Sequence, residues 1–259
     1  MLGFMAQKAV DMTVQWIQDY FSESAQKKAV IGISGGKDSS VVAALCVRAL
    51  GAKNVLGVML PEGEQPDIEA SYDLVYHLRI PFVKLDISPL PSLLFSHMKS
   101  IDIEPSEQAI INLPARIRMA ALFAVAQSVS GRVANTCNLS EDFIGYSTLF
   151  GDNAGQFAPI SQFTVSEVKE IGRVLGLPDH LVDKPPADGL CGKTDEENLG
   201  FTYETLDHYI RTASCSDLEA LNRIQELHEK NRFKTELVRL PHPDVWACDF
   251  YCKEEGCKR

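Results

Sequence analysis

The chain has 259 residues, of which 45% are hydrophobic and 23% charged, a balance that fits one soluble α/β domain and excludes a disordered chain. Thirty-five acidic against 25 basic residues give a net charge of −10, which argues against a nucleic-acid partner because phosphate neutralisation needs clustered Lys and Arg. Seven scattered cysteines favour reduced thiols over a disulfide framework, and apolar runs such as Ala120 to Ala126 are too short to cross a bilayer. No signal peptide is read at the N-terminus, so the expectation is a cytoplasmic protein without a membrane partner.

Val10, Val14, Ile17 and Phe21 recur at helical spacing and open the chain with an amphipathic helix. The β-branched run Ala29 to Ile33 reads as a strand, and Val41 to Leu50 as a helix closed by Gly51. Asn54 to Leu60 is a second strand, Ile68 to Leu78 a second helix and Pro81 to Leu85 a third strand. A long helix is expected from about Asn112 to Val129 with Pro114 in its first turn, followed by a strand from Gly131 to Thr136. Thr164 and Glu167 have capping-box spacing ahead of Val168, Ile171 and Val174. The Gly/Pro-rich stretch from Pro185 to Lys193 reads as a lid loop, and Leu206 to Ile210 and Leu218 to Leu227 as closing helices. After Pro241 no periodicity is readable, and Cys248, Cys252 and Cys257 lack CxxC spacing and read as a solvated tail. Alternating strands and helices imply a doubly wound parallel sheet with helices on both faces, in a single domain over 1–259.

The informative segment is Ser34-Gly35-Gly36-Lys37-Asp38-Ser39-Ser40, between a strand and a helix. Glycines there let backbone N–H groups turn toward an anion, and the following helix presents its positive end to it. Asp38 would repel a bare phosphate, so its presence makes sense if it holds Mg²⁺ bridging to that phosphate. The plain alternative is a tight turn in which Asp38 and Ser39 cap a helix.

The string resembles the signature loop of the N-type ATP pyrophosphatases, a superfamily with a Rossmann-like, adenine nucleotide alpha hydrolase fold. Further along, Asn112 to Met119, Thr136 to Glu141, Gly145-Tyr146, Gly151-Asp152 and Ala158-Pro159-Ile160 resemble the ordered motifs of the NAD synthetases. Lys184 to Leu190 and Thr194 to Gly200 are similar to that family's mobile loop, and Asn231 to Lys234 to its C-terminal substrate contact. The resemblance covers about residues 5–240. It implies ATP-dependent amidation of deamido-NAD by ammonia through an adenylate, giving NAD, AMP and pyrophosphate, in a homodimer. The chain has no room for the glutaminase domain of larger relatives, so free ammonia, or ammonia from another protein, is the expected nitrogen source.

Carried over by position, Gly32, Ile33, Ser34, Gly35, Gly36, Lys37, Asp38 and Ser39 would hold ATP phosphates, with Thr136 and Thr194 touching ATP. Asp38 and Glu141 would ligate Mg²⁺, Arg116, Phe233 and Lys234 would contact deamido-NAD, and Asp152 would take a proton near the attacking ammonia. Each also has a structural reading: Glu141 as a capping partner of Ser140, Arg116 as a surface charge near Glu107 or Asp102, Asp152 as a turn residue and Lys234 as a solvated lysine. Leu149, Gln156, Val165 and Met59 depart from the family pattern, where lysine, an acid, lysine and often arginine stand. Lys169 or Lys193 could compensate for the lost cations. These departures motivate an alternative reading, an adenylating enzyme that amidates a different carboxylate. A second alternative is a nucleotide-binding relative without turnover, against which the joint presence of Asp38, Glu141 and Asp152 speaks. A tRNA-thiolating enzyme is disfavoured by the acidic charge and the absence of CxxC.

Overall fold

The computed structural model describes residues 3–65, 67–184 and 195–235. Four strands, β1 (Lys28–Gly32), β2 (Val55–Met59), β3 (Phe82–Lys84) and β4 (Gly131–Val133), form one wholly parallel sheet in the order β3-β2-β1-β4. Side chains alternate across each strand, so neighbouring residues of β1 serve two cores. Ala29 and Ile31 join a cluster with α1 (Ala6–Ser22), α2 (Lys37–Leu50) and α7 (Val165–Val174), whose Ile17, Leu45 and Ile171 are fully buried. Val30 faces the other way, with Val58 and Val133, under α5 (Glu107–Ser128). Helices therefore cover both faces, as the alternation of elements predicts.

The remaining helices are α3 (Ile68–Leu78), α4 (Pro89–Ser100), α6 (Leu139–Ile144), α8 (Asp179–Val182), α9 (Asp195–Leu199), α10 (Tyr203–Thr212) and α11 (Leu218–Asn231). Parts of α6, α9, α10 and α11 enclose a smaller core built on Ile144, Leu206 and Ile224.

Two helix starts differ most from the sequence reading, and one helix was not read there. Helix α2 begins at Lys37, one turn before Val41, which puts Asp38 and Ser39 inside the helix instead of ahead of it. Helix α5 begins at Glu107, capped by the Ser106 hydroxyl accepting from Ala109 N–H, so Pro114 lies in its interior and not in its first turn. Helix α4 starts on Pro89, a position where a missing N–H costs nothing; the prolines had masked its pattern.

Helix α5 is by length and composition apolar enough to cross a membrane, unlike the short runs read from the sequence. Its centre nevertheless carries Arg116 and Arg118, whose Nε groups donate to the carbonyls of Leu149 (3.2 Å) and Leu60 (3.0 Å). One side of it lines a cavity. Ile110 and Ile111 on α5 and Leu90, Leu93 and Leu94 on α4 form an exposed apolar surface.

Candidate active site

In this sheet β1 has β2 on one side and β4 on the other, so the strand order reverses there and a crevice opens at their carboxyl ends. The chain leaving β1 turns through Ile33 to Gly36 into α2. The Ile33 N–H still serves the sheet, donating to the Val58 carbonyl at 2.9 Å. Gly36 is the N-cap of α2 and no side chain caps the helix. Ser40 N–H donates back to the Gly36 carbonyl, so the N–H groups of Lys37, Asp38 and Ser39 precede the helical ladder and have no carbonyl within it. Those amides and the positive end of the helix are suited to an anion.

Hydroxyls shape the turn. Ser34 Oγ lies 3.1 Å from Ser39 Oγ and accepts from Gly36 N–H at 3.2 Å, while Ser39 Oγ donates to the Gly36 carbonyl at 3.2 Å. Gly35 has φ +76°, and a Cβ there would stand 3.0 Å from Ser71 N, Ser71 Oγ and Ala70 Cβ. Gly35→Ala should therefore destabilise the fold by about 1–3 kcal/mol. Thermal melting checks this, and an unchanged midpoint would mean that the turn and α3 yield without strain.

Two carboxylates meet beside the turn. Asp38 Oδ2 is 2.8 Å from the Lys37 ammonium, and Asp38 Oδ1 accepts from Asn138 Nδ2 at 3.0 Å. Asn138, fully buried after β4, caps α6: its side chain accepts from Glu141 N–H, and Glu141 Oε2 accepts from Asn138 N–H at 3.2 Å. Glu141 thus pairs with Asn138 and not with Ser140, whose hydroxyl donates to Asp207 at 2.5 Å. Burial pushes the Glu141 carboxyl well above the ordinary glutamate value, Asp38 adds to this, and Lys37 opposes it. A like-charge pair under such tension is relieved by a cation.

A cavity of about 800 Å³ opens over the turn. Gly32, Ile33, Ser34 and Thr136 form its base, and Pro114, Ala115, Arg118 and Leu122 of α5 one wall. Opposite stand Gly145 to Thr148, Asp152 and Lys234. Asp152 is open to the cavity, and its carboxylate accepts from Thr148 N–H at 2.8 Å. Loss of water around the carboxyl at the cavity wall raises its pKa, with the Thr148 bond and Lys234 working the other way. Neighbouring Asp142 is pushed up to about 6, by burial first and then by Asp152. Lys234 Nζ donates to the carbonyls of Gly145 (2.7 Å) and Ser147 (2.9 Å); burial lowers its pKa while Asp152 acts to raise it.

Asp142 makes a testable contribution to stability. Its folded pKa exceeds the ordinary aspartate value, so its stabilising effect is complete below about pH 4, the unfolded value, and is lost as pH rises through about 6. Wild-type melting temperature should accordingly rise as pH is lowered from 7 to 5, and Asp142→Asn should flatten that slope. Parallel slopes for the two proteins would contradict the assignment.

The NAD synthase family profile matches residues 9–238. The chain is 34% identical over 258 residues to the NH(3)-dependent NAD(+) synthetase of Methanocaldococcus jannaschii, covering 94% of this chain and 99% of that one. The chain belongs to the NAD synthase family. Among solved structures it resembles an NMN synthetase from Francisella tularensis, with TM-score 0.85, 30% identity and coverage of 92% and 99% of the two chains. It also resembles the NH3-dependent NAD synthetase of Campylobacter jejuni, with TM-score 0.76, 26% identity and coverage of 93% and 100%.

Within this family frame, the residues singled out from the sequence fall into three groups. The turn from Gly32 to Ser39, Thr136, Glu141, Asp152 and Lys234 gather around one crevice. Arg116 and Phe233 are not among the cavity's lining residues: Arg116 holds the Leu149 carbonyl and Phe233 is 56% exposed. Thr194, Lys193 and the rest of the 185–194 loop lie outside the described residues, as do Cys248, Cys252 and Cys257. Arg118, overlooked in the sequence, does line the cavity; burial lowers its pKa and Glu62 counters this. The signal was available, because residues two apart on a helix point to opposite sides, so Arg116 and Arg118 cannot share a wall.

Three of the residues expected to depart from the family pattern have structural places. Met59 is fully buried on β2 and Val165 is buried at the start of α7, so both serve packing. Gln156 Oε1 accepts from Val133 N–H at 3.0 Å, extending the edge of β4 with its side chain.

Proposed function

We propose that this protein is an ATP-dependent, ammonia-using NAD synthetase that adenylates the deamido-NAD carboxylate and releases NAD, AMP and pyrophosphate. The observation that carries the reading is the uncapped start of α2 beside the Asp38–Asn138–Glu141 cluster, with Asp152 on the facing wall of the same cavity. The amides at the start of α2 would orient the ATP phosphates, Thr136 would lie along the nucleotide, and Thr194 would meet it from the loop. Arg118 and Lys234 would border the acid substrate, with Arg116 and Phe233 contributing from further out.

The donor set fits Mg²⁺. Asp38 and Glu141 offer hard oxygen ligands, and no group of three or more metal-ligating side chains occurs among the described residues, so phosphate and water would complete the shell. Held there, Mg²⁺ would neutralise charge on the phosphate oxygens as one anion attacks another. The protein's own amides would add fixed donors to the same end.

The deciding assay mixes pure protein with Mg-ATP, ammonium and deamido-NAD and measures NAD, AMP and pyrophosphate. Equal amounts of all three are expected; neither NAD nor AMP would support the relative without turnover. A second reading has one specific motive, the likeness to an NMN synthetase at TM-score 0.85, above the 0.76 of the NAD synthetase. On that reading the amidated acid is a mononucleotide, and the same assay with nicotinic acid mononucleotide would give the higher kcat/KM.

A homodimer and cytoplasmic residence belong to the same proposal. The exposed apolar surface of α4 and α5 suits a second copy of the chain, and Cys46, Cys137 and Cys215 are free thiols. Sedimentation at micromolar concentration should show a dimer, and a monomer there would contradict it.

A further inference from the structure

The position between the second glycine and the aspartate of the turn holds Lys37, and the side chain does not reach solvent. It is 3% exposed, its ammonium is 2.8 Å from Asp38 Oδ2, and it lies 5.8 Å from the centre of the Tyr203 ring. Three carboxylates act on it: Asp38, Glu141 and the buried Asp195 at the start of α9. The Tyr203 hydroxyl is buried beside the same group and has no hydrogen-bond partner among the described residues. The lysine is therefore a fixed positive charge at the centre of an acidic pocket.

We propose that Lys37 is a tethered cation standing in for the divalent ion in the nucleotide-free protein, so that metal enters with the triphosphate and not before it. The inference rests on the reading of Asp38 and Glu141 as the metal-holding pair. In the free protein both Asp38 oxygens are engaged, Oδ2 by the Lys37 ammonium and Oδ1 by the Asn138 amide. A divalent ion arriving alone would compete with the ammonium and part this buried charge from its closest anion, which is costly. A triphosphate on the adjacent amides offers the ammonium a replacement anion and releases Oδ2. Tyr203 would remain on the ring side of the lysine as a cation–π partner through that change.

The test is Mn²⁺ binding followed by electron paramagnetic resonance, without nucleotide and then with α,β-methylene-ATP. Lys37→Gln should tighten Mn²⁺ binding to the nucleotide-free protein at least about tenfold, the equivalent of one charged hydrogen bond lost by the competitor. Lys37→Arg, which keeps the charge and guards against a general packing effect, should stay as weak as wild type. With the nucleotide analogue present, wild type should bind Mn²⁺ tightly. Equal affinity of wild type and Lys37→Gln without nucleotide would overturn the proposal, as would tightening in Lys37→Arg. Adding Asp38→Asn to Lys37→Gln should abolish the gained site. Retention of Mn²⁺ in that double variant would place the metal elsewhere and overturn the metal reading itself, a result distinct from the first.

Discussion

Asp38→Asn is expected to lower pyrophosphate release from ATP about 10³-fold while leaving the fold intact, the loss seen when a fixed electrostatic partner of a developing charge is removed. The asparagine keeps the shape of the side chain and an oxygen that can accept from the Lys37 ammonium 2.8 Å away, so the buried lysine is not stranded. What disappears is the negative charge that, with Glu141, would hold the metal against the phosphates. Because the carboxylate sits in the first turn of α2, its removal leaves the turn's amides in place. Nucleotide affinity should fall less than turnover. The measurement is single-turnover pyrophosphate formation, paired with a melting curve. Undiminished pyrophosphate formation in a folded Asp38→Asn protein would remove the role assigned to this residue.

The sequence carried the sheet and the phosphate turn because both are local. A β-branched run, two glycines and a hydroxyl-rich helix start follow one another within Ala29 to Ser40, and each choice agrees with the next. Facts that depend on tertiary packing were not legible. Nothing in the spacing of Asn138 shows that its amide reaches Asp38, 100 residues away, or that it, and not Ser140, is the capping partner of Glu141. Likewise the bond by which the Gln156 side chain meets the edge of β4 could not be read from its place in the sequence. Pro114 misled because a proline is expected at a helix start; helix α5 runs through it, and the residue is buried against the cavity. The choice between Arg116 and Arg118 could have been narrowed by helical geometry alone, yet which of them faces inward is decided by how α5 lies on β1 and β4.

Asp152→Asn should separate the two halves of the reaction. Adenylation needs the phosphate turn and the Asp38 pair, so a single-turnover burst of pyrophosphate should survive. Amide formation needs a group to take a proton from ammonium or from the addition intermediate, and its rate should fall about 10² to 10⁴-fold. Asp152 is placed for that role: it opens to the cavity, Thr148 N–H orients it at 2.8 Å, and its raised pKa makes it a stronger base than an ordinary aspartate. The sign of the pH effect follows. Only the ionised carboxylate accepts a proton, so NAD formation at constant free ammonia should fall as pH drops through the raised Asp152 value, an acid limb that the Asn variant lacks. Asp142, titrating near 6 beside it, should broaden that limb, because its ionisation changes the charge that Asp152 feels. If Asp152→Asn lost pyrophosphate release and NAD formation in the same proportion, the residue would be holding substrate for the first step, and the proton acceptor would have to be sought in the substrate's own phosphates or in water.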